Sequence, residues 1–361
     1  MRATQAVGVR VDVDALRDFS VRAFEAVGVP RRDAEVTADS MVQASLRGEG
    51  DHGMRLVAIW AEKIRAGGTD ARTPLETVRD HGGTALLDAR NGIGAVAASR
   101  AMAMAIEKAR TGGIGWVGVR NSNSCGSARF YAMMALPHRM IGLCLTNGVP
   151  LVVPPGGLRA RTGTNPIAVA APAKEELPFV LDMATAAIAF ERLRVYASRG
   201  ERIPPGWAID RQGNPVEDPR KVNEGGFLQG GALLPAGGYK GFGLSVMVNI
   251  LTGVLMGGAY MEGLSEFAPY DTPERDSFLL GAVDIDHFIP YDEFVERMDD
   301  LIRRIKDCER APGVSEIYLP GEQGFLRERE RRKSGMPLDG PTADALRELA
   351  RELGIPAVPG L

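Results

Sequence analysis

Apolar residues recur at helical spacing in the first stretch of the chain, where Leu16, Phe19, Ala23, Phe24 and Val27 fall on one face. Gly28 and Pro30 stop the run, and Asp33 stands where it can cap a second helix reaching about residue 47. The chain therefore opens with a helical hairpin. A polar, glycine-rich turn over 48–53 leads into a third helix that runs to about residue 66 and is ended by Gly67 and Gly68.

From about residue 84 the period shortens. Five β-prone runs, TALLDA, IGWVGV, IGLCLTN, PIAVAAP and PFVLDM, alternate with Gly, Pro and Asn turns, and one clear helix, over 94–109, lies among them. Several strands follow one another without an intervening helix, so the pattern predicts a mixed or largely antiparallel sheet. Residues 186–198 and 243–256 read as helices, FLLGAVDI as another strand, 291–308 as a long amphipathic helix, and PTADALRELARELG as a last one. The run 244–255 is the most apolar, but Ser245, Asn249 and Thr252 interrupt it. It is shorter than the ~20 residues that a bilayer needs, and is expected to be a buried core helix.

Length and charge narrow the function. A chain of 361 residues is expected to form two lobes. The net charge of -3 is spread over mixed signs, which argues against nucleic acid as a partner. The basic run over 327–333 is interrupted by two Glu and reads as a solvated helix face. Cys125, Cys144 and Cys308 show no CxxC spacing, and the four histidines show no HxH or HExxH spacing, so neither a disulfide framework nor a metal site is expected. The N-terminal MRATQAVGVRVD lacks the apolar stretch of a signal peptide, and with reduced thiols this points to a cytoplasmic protein without a membrane partner.

Candidate chemistry is sparse. Gly92-Ile-Gly94-Ala-Val-Ala97 comes nearest to a dinucleotide-binding turn, yet the next β-run ends in Arg120-Asn121 where a ribose-holding acid belongs, so it reads as a decoy. His81, His138 and His287 sit beside turns or a strand end and read as surface or satisfied histidines. His52 differs. It lies in Arg47-Gly-Glu-Gly-Asp51-His52-Gly53-Met54-Arg55, a glycine-rich corner between two apolar helices where a substrate can approach closely, and histidine is the side chain suited to proton exchange near neutrality.

The ordered series RGEGDHGMRL, GIGWVGVRNSNSCGSARFY, IGLCLTNGVPLVVPPGG, RTGTNPIAVAAP, VLDMATAAIA, PPGWAIDRQGNP, LLPAGGYKGFGLSVMVNIL and YLPGEQG resembles the type-2 malate/L-lactate dehydrogenase family over nearly the whole chain. That family also contains ureidoglycolate and sulfolactate dehydrogenases, diketogulonate reductase and cyclic ketimine reductases. The resemblance implies an α/β (mixed) fold with a non-Rossmann, largely antiparallel central sheet, in agreement with the strand rhythm. The expected lobes are 1–83 plus 290–361, helical, and 84–289, carrying the sheet and the cofactor.

The resemblance further implies a homodimer and hydride transfer between NAD or NADP and a small polar substrate, with His52 as acid and base. It places cofactor contacts at Asn123, Thr164, Leu181, Asp182, Met183, Ala184, Thr185, Ala186, Ala187, Tyr239, Lys240, Gly241, Pro320, Gly321 and Glu322. Lys240, flanked by glycines before an apolar helix, has the chemistry to meet a pyrophosphate, and Asp182, closing a strand, is expected to orient His52.

Four substrate-side positions carry the departures from the family pattern. Asp51 precedes the histidine where Ser is usual, Arg55 falls one place before the usual Arg, Ser124 stands for a second His, and Asn147 is followed by Gly148. The displaced Arg weakens the case for a plain 2-oxo acid, and Asp51 suits a cationic cyclic imine, for which NADPH is the expected reductant. Cys125 reads as a small buried or pocket-lining residue. The alternative reading is a cofactor-binding homologue that has lost catalysis and serves a regulatory or binding role.

Overall fold

In the computed structural model, residues 9–224, 229–265 and 268–361 are described. Part of the N-terminal stretch read for a signal peptide, residues 1–8, lies outside them. After a short strand β1 (Val9–Val11), α1 (Val13–Ala26) and α2 (Arg31–Arg47) form the predicted hairpin and α3 (Arg55–Arg65) follows. Leu16, Phe19 and Phe24 of α1 meet Met41 and Leu46 of α2, all at most 1% exposed. Each such side chain contributes on the order of 1.5–3 kcal/mol. Asp33 does not cap α2: Pro30 holds that place, and both Asp33 oxygens accept from Arg100 Nη2, at 2.7 and 2.8 Å.

The central elements are β2 (Glu76–His81), β3 (Thr84–Asp88), α4 (Gly94–Gly112), β4 (Ile114–Ser122), α5 (Ala128–Met133), β5 (Met140–Thr146), β6 (Ile167–Ala171) and β7 (Phe179–Met183). A small subdomain follows, with α6 (Phe190–Ser198), β8 (Ala208–Asp210), α7 (Pro219–Val222) and β9 (Gly231–Leu233). Then come α8 (Tyr239–Asn249), which runs on through a π turn (Ile250–Val254), β10 (Asp276–Asp284), α9 (Tyr291–Lys306), α10 (Glu322–Ser334), β11 (Met336–Leu338) and α11 (Gly340–Leu353). The fold class is the expected one. Seven strands line up as β2-β3-β4-β10-β5-β6-β7, and only the β3–β4 pair is parallel.

Differences from the sequence pattern have physical causes. The sheet begins at Glu76, inside the stretch assigned to the helical lobe, because β2 is an exposed edge strand without apolar alternation. α5 was not foreseen. α6 starts four residues late, since Ala186 bridges to Pro235 and keeps the preceding segment extended. The apolar α8 is not a buried core helix: Leu244, Met247, Ile250, Val254 and Leu255 along it and its π turn are 38–63% exposed.

The two ends of the chain come together. β1 pairs antiparallel with β11, and α11 packs on α3 and α1. α9 lies elsewhere, with Asp299 accepting from the Lys174, Glu175 and Glu176 backbone N–H groups in the β6–β7 turn. The Gly92/Gly94 decoy is a packing device. A Cβ on Gly94 would lie 2.1 Å from the Asn123 carbonyl oxygen, so the glycine lets α4 touch the loop after β4.

Candidate active site

α2 ends where Gly48 takes a left-handed conformation, φ 92°. Gly48 and Glu49 donate back to the Ser45 and Ala44 carbonyls at 3.1 and 2.9 Å, and the Met54 N–H donates to Ser45 Oγ at 2.9 Å. Gly53 permits this closure, because a Cβ there would lie 2.0 Å from Ser45 Oγ. His52 is thus held, half-buried, on a stiff turn between α2 and α3. Its ring makes no hydrogen bond to the described residues.

Glu49 lies three residues before His52, and its buried carboxylate pairs with Arg129 in the first turn of α5. Arg129 in turn donates from its backbone N–H and from Nε to Asp182 Oδ2, at 3.0 and 3.3 Å. Ser127 Oγ donates to the same oxygen at 3.5 Å. Burial pushes the Glu49 carboxyl up, with Asp182 adding to the rise while Arg129, Ser127 and His52 oppose it. Charges therefore alternate from Asp182 through Arg129 to Glu49, and His52 lies within electrostatic reach of the last.

This arrangement corrects one expectation. Asp182 makes no hydrogen bond to the His52 ring among the described residues; it is engaged by Arg129 and Ser127, while the charge of His52 bears on Glu49. Sequence reasoning missed Glu49, Ser127 and Arg129. One signal was available: ARFYAMMA places a single cation in an apolar stretch, and a cation taken into such a setting needs a carboxylate.

The substrate-side candidates divide. Asp51 is half-buried, and its carboxylate has no hydrogen bond or ion pair among the described residues. Arg55 is the first residue of α3, and Leu56, at the usual Arg position, is core at 3% exposure. Ser124 is fixed through its N–H, which donates to Glu274 at 2.9 Å. Asn147 and Asn123 are ties. Asn147 donates to the Ala259 carbonyl and accepts from the Ser277 N–H, both at 2.9 Å, while Asn123 donates to Asn91 and Gly92 and accepts from the Glu274 N–H. Beneath them Glu274 pairs with the buried Lys63 at 2.8 Å, and burial together with Glu274 pushes the Asp276 carboxyl well up. Cys125 is buried, 1% exposed.

Most of the expected cofactor residues converge. The segment leaving β7 is stitched to two loops: Thr185 donates from N and Oγ to the Thr164 carbonyl at 2.7 and 2.9 Å, and Ala236 donates to the Thr185 carbonyl at 2.9 Å. Gly241 fits against them, since a Cβ there would lie 2.6 Å from the Thr185 oxygen. Tyr239 and Lys240 stand exposed at the N-terminus of α8, whose first turn has no side-chain cap. Pro320 and Gly321 instead back the middle of β7, with the Val180 N–H donating to the Pro320 carbonyl at 3.0 Å. Glu322 is already taken by Lys306 at 2.8 Å and the Leu319 N–H at 3.2 Å.

Comparison with known proteins decides what such a site belongs to. Residues 11–347 match the family described as malate/L-lactate dehydrogenase. The chain belongs to that family. It is 42% identical over 357 residues to a malate dehydrogenase of Pyrococcus abyssi, covering 96% of each chain. The structure of malate dehydrogenase from Pyrococcus horikoshii superposes with a TM-score of 0.89 at 37% identity over 99% of each chain. That of delta1-piperideine-2-carboxylate reductase from Pseudomonas syringae does so with 0.83 at 29%, over 94% and 99%. As a member of the malate/L-lactate dehydrogenase family the chain is a dehydrogenase/reductase, and the family implies a nicotinamide cofactor. The residues present fit it: uncapped N–H groups, Lys240 and open glycines at 237 and 238 supply the donors and the space that a pyrophosphate requires.

Proposed function

We propose that this enzyme interconverts a small 2-hydroxy acid and the corresponding 2-oxo acid, with His52 as the acid and base. The observation that supports this most is the His52 ring itself, held by a stiff turn, free of hydrogen bonds to the described residues and within electrostatic reach of the buried Glu49. A histidine so placed keeps its proton available to a substrate. When bound, the nicotinamide supplies or receives the hydride. His52 gives a proton to the substrate oxygen in reduction and takes it back in oxidation. Thr164, Thr185 and the glycines before α8 shape the cofactor side, with Lys240 holding the phosphates; NAD and NADP both suit the donors present.

A second reading keeps the same chemistry and changes the substrate. The carboxylates of Glu49, Asp51 and Asp182 outnumber Arg129, which favours a cationic cyclic imine with NADPH. A panel of 2-oxo acids and cyclic imines, each with NADH and with NADPH, separates the two. His52→Gln tests the shared mechanism: turnover falls at least ~10²-fold while cofactor affinity holds, and near wild-type turnover in that variant rejects it.

We also propose a homodimer, supported by the exposed apolar side of α8 and its π turn, Leu244, Met247, Ile250, Val254 and Leu255. A cytoplasmic setting is supported by three unpaired cysteines. Among the described residues no helix is long and apolar enough to cross a membrane, and no cluster of metal-binding side chains occurs.

A further inference from the structure

A cavity of about 180 Å³ opens between α2 and α5, and it shares Ser127 and Arg129 with the cluster around Asp182. Gln43, Ala44 and Arg47 line it from α2, and Arg129, Phe130 and Met133 from α5. His52 is not part of this wall. We propose that the cavity is a second binding site, for a small organic acid anion, and that its occupant acts on the active site through Arg129.

Unspent donors are the first support. Arg47 is 3% exposed; its Nε donates to Glu328 at 3.2 Å, and its guanidinium carbon lies 3.9 Å over the Phe325 ring. Nη1 is buried with no partner among the described residues, and a buried donor left unmet is unfavourable unless something fills it. Arg129 spends Nη2 on Glu49 and Nε on Asp182. Its Nη1 comes within 3.7 Å of where a Cβ on Gly324 would stand, and Arg47 Cβ within 3.6 Å of the same point. Arg47 and Arg129 both line the cavity, and their charges act on each other. Burial depresses the Arg47 charge, and Arg129 adds to this against the pull of Glu328. An anion between them relieves the repulsion and meets the open N–H groups.

The remaining wall selects among anions. Ala44, Phe130 and Met133 offer apolar cover to a short hydrocarbon stem, and the buried Gln43 Oε1 also lacks a partner, so it can accept from a hydroxyl. An apolar cavity of roughly 150 Å³ accommodates a benzene-sized guest, which leaves room here for a carboxylate or sulfonate of a few carbons. Inorganic sulfate would leave the apolar wall uncovered. Because the occupant and Glu49 draw on one guanidinium, each loosens the hold of the other.

Calorimetric titration of the cofactor-free protein with butyrate, propanesulfonate and sulfate tests this without reference to turnover. Saturable binding of the first two is expected in the wild type and in His52→Gln, with sulfate at least tenfold weaker. Ala44→Leu, which fills the cavity, should lose at least tenfold in affinity, and Glu49→Gln should gain severalfold by releasing Arg129. If Ala44→Leu does not fold, Gln43→Leu narrows the same space from a half-exposed position. Absence of binding in the wild type, sulfate binding as tight as butyrate, or binding lost in His52→Gln but kept in the filled cavity each overturns the proposal.

Discussion

Arg129 gripping one oxygen of Asp182 twice, through its backbone N–H at 3.0 Å and Nε at 3.3 Å, ties the end of β7 to the start of α5. Asp182→Asn keeps an acceptor and loses the charge. We expect a stability loss of about 1–3 kcal/mol by urea denaturation, with Asp182→Leu costing more. Equal stability in both variants would show that the grip contributes nothing.

The buried Glu49 gives stability a pH dependence. Its carboxyl is raised above the usual value of 4.5, so the folded state holds a proton that the unfolded chain releases. The stability that this group contributes is then greatest below 4.5 and is lost as pH rises from there through the folded value. Asp276, raised from 3.8, adds a slope of the same sign starting lower. Denaturation of Glu49→Gln over a pH series should show a shallower fall than wild type; an unchanged slope refutes the assignment.

Gly53 has no room for a methyl group. Gly53→Ala must move Ser45 Oγ and break the bond to the Met54 N–H, at a cost of about 1–3 kcal/mol, and turnover should drop as His52 shifts. Ser45→Ala removes only the bond and should cost about 1 kcal/mol. If the two variants behave alike in thermal melts and in turnover, steric closure is not what positions the histidine.

Lys63 neutralises a buried acidic pair. Lys63→Met strands Glu274 and Asp276 and should destabilise by about 3–5 kcal/mol, whereas Lys63→Met combined with Glu274→Gln recovers part of the loss. Chemical denaturation of both proteins measures this, and a double variant no better than the single one contradicts it.

For the homodimer, Ile250→Glu or Leu255→Glu on the exposed apolar side of α8 should shift sedimentation from dimer to monomer and lower turnover. Wild-type sedimentation in both variants would move the interface elsewhere.

Periodicity revealed the elements whose burial it encodes. α1, α2, α4, α9 and α11 and strands β3 to β7 and β10 all carry it, and they fix the fold class. β2 is exposed along its length and paired on one side, so ETVRDH shows no alternation to read. β1 and β11 depend on a partner more than three hundred residues away, from Val9 to Leu338. α8 misled for the opposite reason, since an apolar side that seeks another surface reads the same as one that faces a core. At the site, His52 stood out by its chemistry and its turn. Glu49 and Arg129 did not, because an ion pair spanning eighty residues leaves no mark on local spacing.

The pairing of β1 with β11, and of α11 with α3, gives this chain an order of assembly. The central sheet, from Glu76 to Asp284, has all its strands made before the last helix is synthesised. The lobe that steadies the His52 turn is not complete by then, because α11 must first leave the ribosome. A nascent chain can thus hold a finished sheet and an unfinished catalytic residue, so truncation within the last twenty residues, from 342 on, should leave the sheet formed, the helical lobe loosened and turnover lost.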